Sequence, residues 1–306
     1  MAHSTPLPRG SNRQSGYLAA WIQAARPATL PAAVVPVIVG TAAAPGHGSL
    51  RPLAFVAALV ASLLIQIGTN FSNDYFDFRK GADTSTRLGP QRVTQGGLIS
   101  PHQVHVASYV TFGLAALLGV YLIVLAGWPI LVAGVLSILC GIAYTGGPWP
   151  LGYHGLGDLF VFLFFGVVAV VGSAYVQAGE ITTLAVAASI PVGLLTTAIL
   201  VVNNLRDIET DRRAGKRTLA VRIGRQATRL QYALCLAIAF CVPLGLWLTG
   251  ILQAWFWLPW LGLPLAVSLV RVIWRSTDGP TLNRALKGTG QLLLVFGALF
   301  AGSMVI

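Results

Sequence analysis

Acidic residues are scarce in this chain: nine Asp and Glu stand against twenty Lys and Arg in 306 residues. Charged residues make up only 9 % of the sequence and hydrophobic ones 55 %, which excludes a disordered polyelectrolyte, a coiled coil and a water-soluble enzyme. Cysteine is equally sparse. Cys140, Cys235 and Cys241 sit inside apolar runs with no CxxC pairing, so neither a disulfide scaffold nor a zinc site is supported. The five histidines show no metal spacing. A net charge of +11 without a basic aromatic stripe does not describe a nucleic-acid binder, because the cytoplasmic loops of a membrane protein also collect Lys and Arg. Residues 1–16 lack the apolar core of a cleavable signal peptide and read as a mobile cytoplasmic tail ahead of one transmembrane domain over 17–306.

What is abundant is long apolar runs. Stretches of about 17 to 25 such residues are what a helix needs to cross the hydrocarbon core, where unpaired backbone groups are too costly. Nine are present, near 28–44, 53–75, 106–126, 129–147, 159–178, 183–204, 230–250, 251–270 and 289–306. The expected architecture is therefore an all-α polytopic membrane protein in the lipid bilayer. With the N-terminus inside and the sides alternating, every Lys and Arg except Arg51 falls in the cytoplasm. The asymmetry supports a multi-pass protein with its N-terminus cytoplasmic and its C-terminus outside.

Six of the nine carboxylates gather in two short stretches. Asp74, Asp77 and Asp83 follow the second span, and Asp207, Glu209 and Asp211 follow the sixth, at the same membrane side. Each stretch opens with Asn and places Asp four residues later, Asn70 with Asp74 and Asn203 with Asp207, on one helical face. Carboxylates gathered near a bilayer repel one another and call for a counter-cation. Mg2+ fits, because it takes oxygen ligands and typically joins a few carboxylates to phosphate groups. The Lys and Arg after each stretch would contact the remaining phosphate oxygens. Two solvated, mutually neutralising loops are the bland alternative. Transporters also use internal repeats, so a diphosphate site alone does not establish catalysis.

Four longer strings carry a family resemblance: Ala25-Arg-Pro-Ala-Thr-Leu-Pro-Ala32, Asn73-Asp-Tyr-Phe-Asp-Phe-Arg-Lys-Gly-Ala-Asp-Thr84, the segment from Tyr144 to Asp158, and the segment from Asn203 to Val221. From Arg26 to the last span the chain resembles the UbiA superfamily of intramembrane prenyltransferases. It is most similar to the branch acting on 1,4-dihydroxy-2-naphthoate, with Arg87-Leu-Gly-Pro-Gln-Arg-Val-Thr94 as a further branch-like string. The resemblance implies nine transmembrane helices, a cytoplasmic-side active-site cavity, and two aspartate-rich motifs that hold a prenyl diphosphate through Mg2+. The first motif maps onto Asn70, Asn73, Asp74, Asp77 and Asp83, and the second onto Asn203, Asp207 and Asp211. Asp83 stands six residues beyond Asp77, where the commoner superfamily spacing is four.

The reaction so implied transfers a polyprenyl chain from an all-trans polyprenyl diphosphate to dihydroxynaphthoate with loss of CO2 and diphosphate, giving demethylmenaquinol in a bacterial plasma membrane. Metal contacts are expected from Asp74, Asp77, Asp83, Asp207 and Asp211. Diphosphate contacts are expected from Arg79, Lys80, Arg87, Arg92, Lys216 and Arg217. Arg26 is a candidate for the acceptor carboxylate, Tyr144 and Tyr153 (with Tyr75) for shielding an allylic cation, and Asp158 for a phenol proton or a plain helix N-cap. No protein partner is expected. The alternatives are a phytyl donor, another acceptor such as 4-hydroxybenzoate, and, in a different class, a secondary transporter of an anionic solute.

Overall fold

The computed structural model describes residues 11–44, 50–82, 88–253 and 255–306, so Asp83 and Arg87 lie outside the described residues. The regular elements among the described residues are all helices, without a strand. Helix α1 spans Ser11–Ala25, α2 Pro31–Ala42, α3 Pro52–Arg79, α4 Pro101–Ala126, α5 Trp128–Ala143, α6 Gly157–Ala178, α7 Thr183–Arg213, α8 Leu219–Leu248, α9 Leu258–Arg275 and α10 Gly279–Val305. This is an integral membrane protein. Among the described residues seven helices are long and apolar enough to cross a bilayer, or eight if the pair Gly16–Thr29 and Pro31–Ala42, bent by 50°, counts as one span. The expected fourth span corresponds to the apolar but shorter Trp128–Ala143, of 16 residues.

Local chemistry sets the boundaries. Ser100 caps α4 in a reciprocal box with Gln103, while Thr182, Thr218 and Asp278 each accept a backbone N–H at the start of α7, α8 and α10. Gly127, at φ 81°, turns the chain sharply from α4 into α5. Helix α1 ends just before Arg26, which lies in the connection to α2 and whose φ of 53° makes it the one non-glycine residue with positive φ among those described. Helix α1 starts inside the segment expected to be a tail through residue 16.

Several helices exceed their apolar stretch. Helices α3 and α7 continue to Arg79 and Arg213, so Asn70 to Asp77 and Asn203 to Asp211 are helical, as the shared helix face of each Asn–Asp pair requires. Helix α10 begins at Gly279 instead of near 289 and α9 at Leu258 instead of 251, while the start of α8 from Leu219 is a short turn broken at Gly224 (φ 78°), after which the long helix runs to Leu248. Hydropathy marks only the lipid-embedded part of a helix, whereas intrahelical hydrogen bonds continue into polar sequence.

Helix α7 is the hub: 72 % of its apolar window is buried, against 17 % for α4, which faces outward. Its core contacts come from α2, α6, α8 and α10, with Phe296, Phe300, Leu195 and Leu205 fully buried. Helices α6 and α7 cross at Gly166 and Gly193, where a Cβ on Gly166 would stand 2.7 Å from the Cα of Gly193 and 2.9 Å from the carbonyl oxygen of Ser189. Membrane helices approach this closely only through small residues. Neither backbone contact can move aside, so Gly166→Val is expected to destabilise the bundle by about 1–3 kcal/mol. Thermal melting in detergent checks this, and an unchanged midpoint would contradict the crossing.

Candidate active site

The last turns of α3 present Asn70, Asn73 and Asp77 on one face, and the last turns of α7 present Asn203, Asn204, Asp207 and Asp211 opposite them. Between them lies a polar cavity of about 200 Å³, closed by Arg26 in the α1–α2 connection, Arg92, Tyr144, Tyr153 and Lys216. A second, apolar cavity of about 380 Å³ runs among α3, α4, α5 and α6. The two share Thr69, Tyr144, Val161 and Phe165, so Tyr144 stands where polar and apolar walls meet.

Among the carboxylates that line the cavity, Asp77 meets two cations. Its Oδ1 accepts from the Tyr153 hydroxyl at 2.7 Å and from Lys216 Nζ at 3.0 Å, and Arg92 Nη2 reaches its Oδ2 at 3.4 Å. The Tyr153 ring lies between two ammonium groups, Lys216 at 4.7 Å and Lys80 at 5.1 Å from its centroid. Lys80 donates to the carbonyls of Thr145 at 2.6 Å and Gly147 at 3.3 Å, away from the cavity. Desolvation of its ammonium lowers the Lys80 pKa from the ordinary lysine value, Lys216 adds repulsion in the same direction, and Asp77 opposes both. Asn73 accepts from the Thr145 hydroxyl at 2.8 Å, which orients its carboxamide. Asn70 donates to the carbonyl of Ala25 at 2.9 Å and to Thr29 Oγ1 at 3.2 Å, while Arg26 donates to the Asn70 carbonyl at 3.3 Å. This network pins the connection that carries Arg26.

Some expected residues stand elsewhere. Asp74 does not line the cavity: its carboxylate takes the Val93 and Thr94 N–H groups at 3.3 Å each and the Thr94 hydroxyl, anchoring the 88–99 loop. Arg79 is exposed and donates to the Tyr75 hydroxyl at 3.0 Å, and Tyr75 itself stacks on His105. The exposed Arg217 meets the site only through its backbone N–H, given to the Tyr153 carbonyl at 2.9 Å. Asp158 sits outside both cavities and accepts from Gln231 of α8 at 3.0 Å, tying α6 to α8. His154 stacks on Trp149 at 4.4 Å, with Nδ1 at 2.9 Å from the Pro150 carbonyl. His154→Ala is therefore expected to leave turnover within about tenfold of wild type, or 1.4 kcal/mol in barrier; steady-state rates at saturating donor would show a larger loss if the ring took part.

The structure also places residues that pattern reading passed over. Thr94 and Thr145 orient Asp74 and Asn73. Asn204 lines the cavity beside Asn203, and Arg206 binds Asp207 with Nε at 2.8 Å. Their signal was weak, since Thr carries no charge and Arg206 sits within a run of cations from Arg206 to Arg229.

Among the described residues no three His, Cys, Asp or Glu side chains converge as a protein-only metal cage. The cavity walls instead offer the carboxylates of Asp77, Asp207 and Asp211 and the carboxamides of Asn73, Asn203 and Asn204. All are hard oxygen donors spread over two walls, which fits a Mg2+-type ion whose remaining positions are filled by water and substrate oxygens.

A polar, cation-lined chamber opening onto an apolar one is the arrangement of a membrane protein that handles amphiphiles with an anionic head and a hydrocarbon tail. The model of the UbiA prenyltransferase family matches residues 33–299, and the chain belongs to that family. It is similar to the 1,4-dihydroxy-2-naphthoate octaprenyltransferase of Escherichia coli (strain K12), with 40 % identity covering 94 % of this chain and 97 % of that one. The protein of the same description from Mycobacterium tuberculosis (strain ATCC 25618 / H37Rv) is 39 % identical over 94 % of this chain and 97 % of its own. In fold the chain resembles a UbiA homologue from Archaeoglobus fulgidus bound to GPP and Mg2+, with TM-score 0.66, 15 % identity, and 94 % and 99 % of the two chains covered.

Proposed function

We propose that the protein transfers a polyprenyl group from an all-trans polyprenyl diphosphate to 1,4-dihydroxy-2-naphthoate, releasing diphosphate and CO2 and yielding demethylmenaquinol for menaquinone biosynthesis. The observation that carries the reading is the junction at Tyr144, where the carboxylate-and-cation chamber adjoins an apolar cavity. Identities of 34–40 % with curated dihydroxynaphthoate octaprenyltransferases select the acceptor. The charge asymmetry supports nine crossings, counting the bent pair and Trp128–Ala143 with the seven long helices, in a bacterial plasma membrane with the chamber cytoplasmic.

The donor's tail lies in the apolar cavity and its diphosphate between α3 and α7. Asp77, Asp207 and Asp211 would hold Mg2+, which when bound would supply Lewis-acid stabilisation of charge on the departing diphosphate. Lys216 and Arg92, which neutralise Asp77 in this structure, donate to the remaining phosphate oxygens. As the allylic C–O bond breaks, the Tyr144 ring faces the carbocation in a water-poor setting. Arg26 orients the acceptor carboxylate. The ring carbon bearing that carboxylate attacks the terminal prenyl carbon, and cleavage of the bond to the carboxylate returns its electron pair to the ring and releases CO2. No ring proton has to be removed, and Asp158, outside both cavities and bonded to Gln231, is given no phenol proton in this scheme.

The test is incubation of purified protein in lipid with Mg2+, geranylgeranyl diphosphate and dihydroxynaphthoate, followed by mass spectrometry of the lipids. A prenylated, decarboxylated naphthoquinone absent from EDTA and 4-hydroxybenzoate controls is the expected product. Product from the benzoate alone would reject the acceptor.

A further inference from the structure

Arg206 is 3 % exposed, and its bonds join two of the cavity's ligands to the loop that closes it. Its Nε and Nη2 donate to the two oxygens of Asp207, Nη2 also donates to Asn203 Oδ1 at 2.9 Å, and Nη1 donates to Asn283 Oδ1 on α10. Adjacent residues on a helix point about 100° apart and do not face each other. A fork from Arg206 onto Asp207 therefore requires the guanidinium to fold back, and the bonds to Asn203 and Asn283 hold it there. Asn283 in turn donates to the Leu88 carbonyl at 3.1 Å. Gly89 lies against the guanidinium, where a Cβ would stand 2.8 Å from Nη2. The other part of the same loop holds Asp77 through Arg92 and Asp74 through Thr94.

A cation placed only to set membrane orientation would be solvated and unconstrained. Arg206 instead spends both faces of its fork inside the protein, touching Asp207 and Asn203, which line the cavity, without lining it itself.

We propose that Arg206 is a positioning residue that presets Asp207 and Asn203 for the metal-bridged diphosphate and couples their geometry to the 88–99 loop. The inference rests on the reading of this cavity as a Mg2+–diphosphate site. Lysine keeps the charge but cannot make the planar fork or reach both asparagines at once, so Arg206→Lys isolates geometry from charge.

The readouts are stability and backbone exchange on the full chain in detergent. Ligand binding raises the melting temperature by mass action, and Mg2+ titrated at fixed geranylgeranyl diphosphate gives a half-maximal concentration for that rise. In Arg206→Lys this concentration is expected to increase at least about tenfold, with faster hydrogen exchange in the 88–99 peptide and unchanged exchange in α4. Gly89→Ala, which pushes on the guanidinium without removing a polar group, is expected to shift both readouts in the same direction by a smaller factor, and decides the matter if Arg206→Lys does not fold. Wild-type values for both readouts in either folded variant would overturn the proposal. A wild type whose melting ignores Mg2+ and donor would overturn the metal reading and this inference together, whereas a wild-type response shared by the variants overturns the inference alone.

Discussion

Asp77→Asn is expected to lower Mg2+-dependent turnover at least about a thousandfold, roughly 4 kcal/mol of transition-state stabilisation. The carboxylate receives Tyr153, Lys216 and Arg92 at once, so the isosteric amide removes the charge that organises all three and one of the oxygens available to a metal. It also leaves two cations around a neutral group, and breaking a buried pair of this kind costs about 3–5 kcal/mol of stability. Activity in lipid and melting in detergent, measured on the same preparation, separate the two effects. Asp74→Asn keeps an oxygen for Thr94 and is expected to cost less than Asp77→Asn, because Asp74 faces the 88–99 loop. Equal losses would mean that Asp74 also meets the substrate.

The second large effect is expected at the opposite wall. Asp207→Ala should also reduce turnover at least about a thousandfold; it leaves the buried Arg206 with the neutral Asn203 and Asn283 but without its carboxylate, so a stability loss of about 3–5 kcal/mol is expected beside it, again separated by melting on the same preparation. Activity within tenfold of wild type would remove α7 from the metal site and leave Asp77 alone on α3. The variant should still bind dihydroxynaphthoate, since Arg26 sits on a different element, in the α1–α2 connection; equilibrium binding of the acceptor without donor checks this.

Much of this architecture was legible before any coordinates. Apolar runs located the helices, and the paired Asn–Asp spacing put Asn70 with Asp74 and Asn203 with Asp207 on one helix face each, because residues three and four apart share a face whatever the tertiary context; Asp77 and Asp211 stood out by the clustering of carboxylates, and Asn73 only by the family resemblance. What could not be read depends on contacts distant in sequence. Asp74 has the same local spacing as Asp77, yet it turns to a loop twenty residues downstream, since Thr94 and Val93 offer it three hydrogen bonds. Arg206 looked like one more cytoplasmic cation, and only Asn283, 77 residues away, reveals the fold-back. Asp158 suited a base at a helix start until Gln231 supplied its partner. Helix ends were misplaced for a simpler reason: hydropathy stops at the edge of the apolar stretch, while α3 and α7 continue for another turn or more and carry Asp77, Asp207 and Asp211 on that polar extension.

The most direct measurement follows both leaving groups together. With dihydroxynaphthoate labelled at the carboxyl carbon and geranylgeranyl diphosphate as donor, the protein in lipid should release labelled CO2 and diphosphate one for one, both abolished by EDTA. Diphosphate released without CO2, or a prenylated product that keeps the label, would contradict attack at the carboxylate-bearing carbon and with it the proposed reaction.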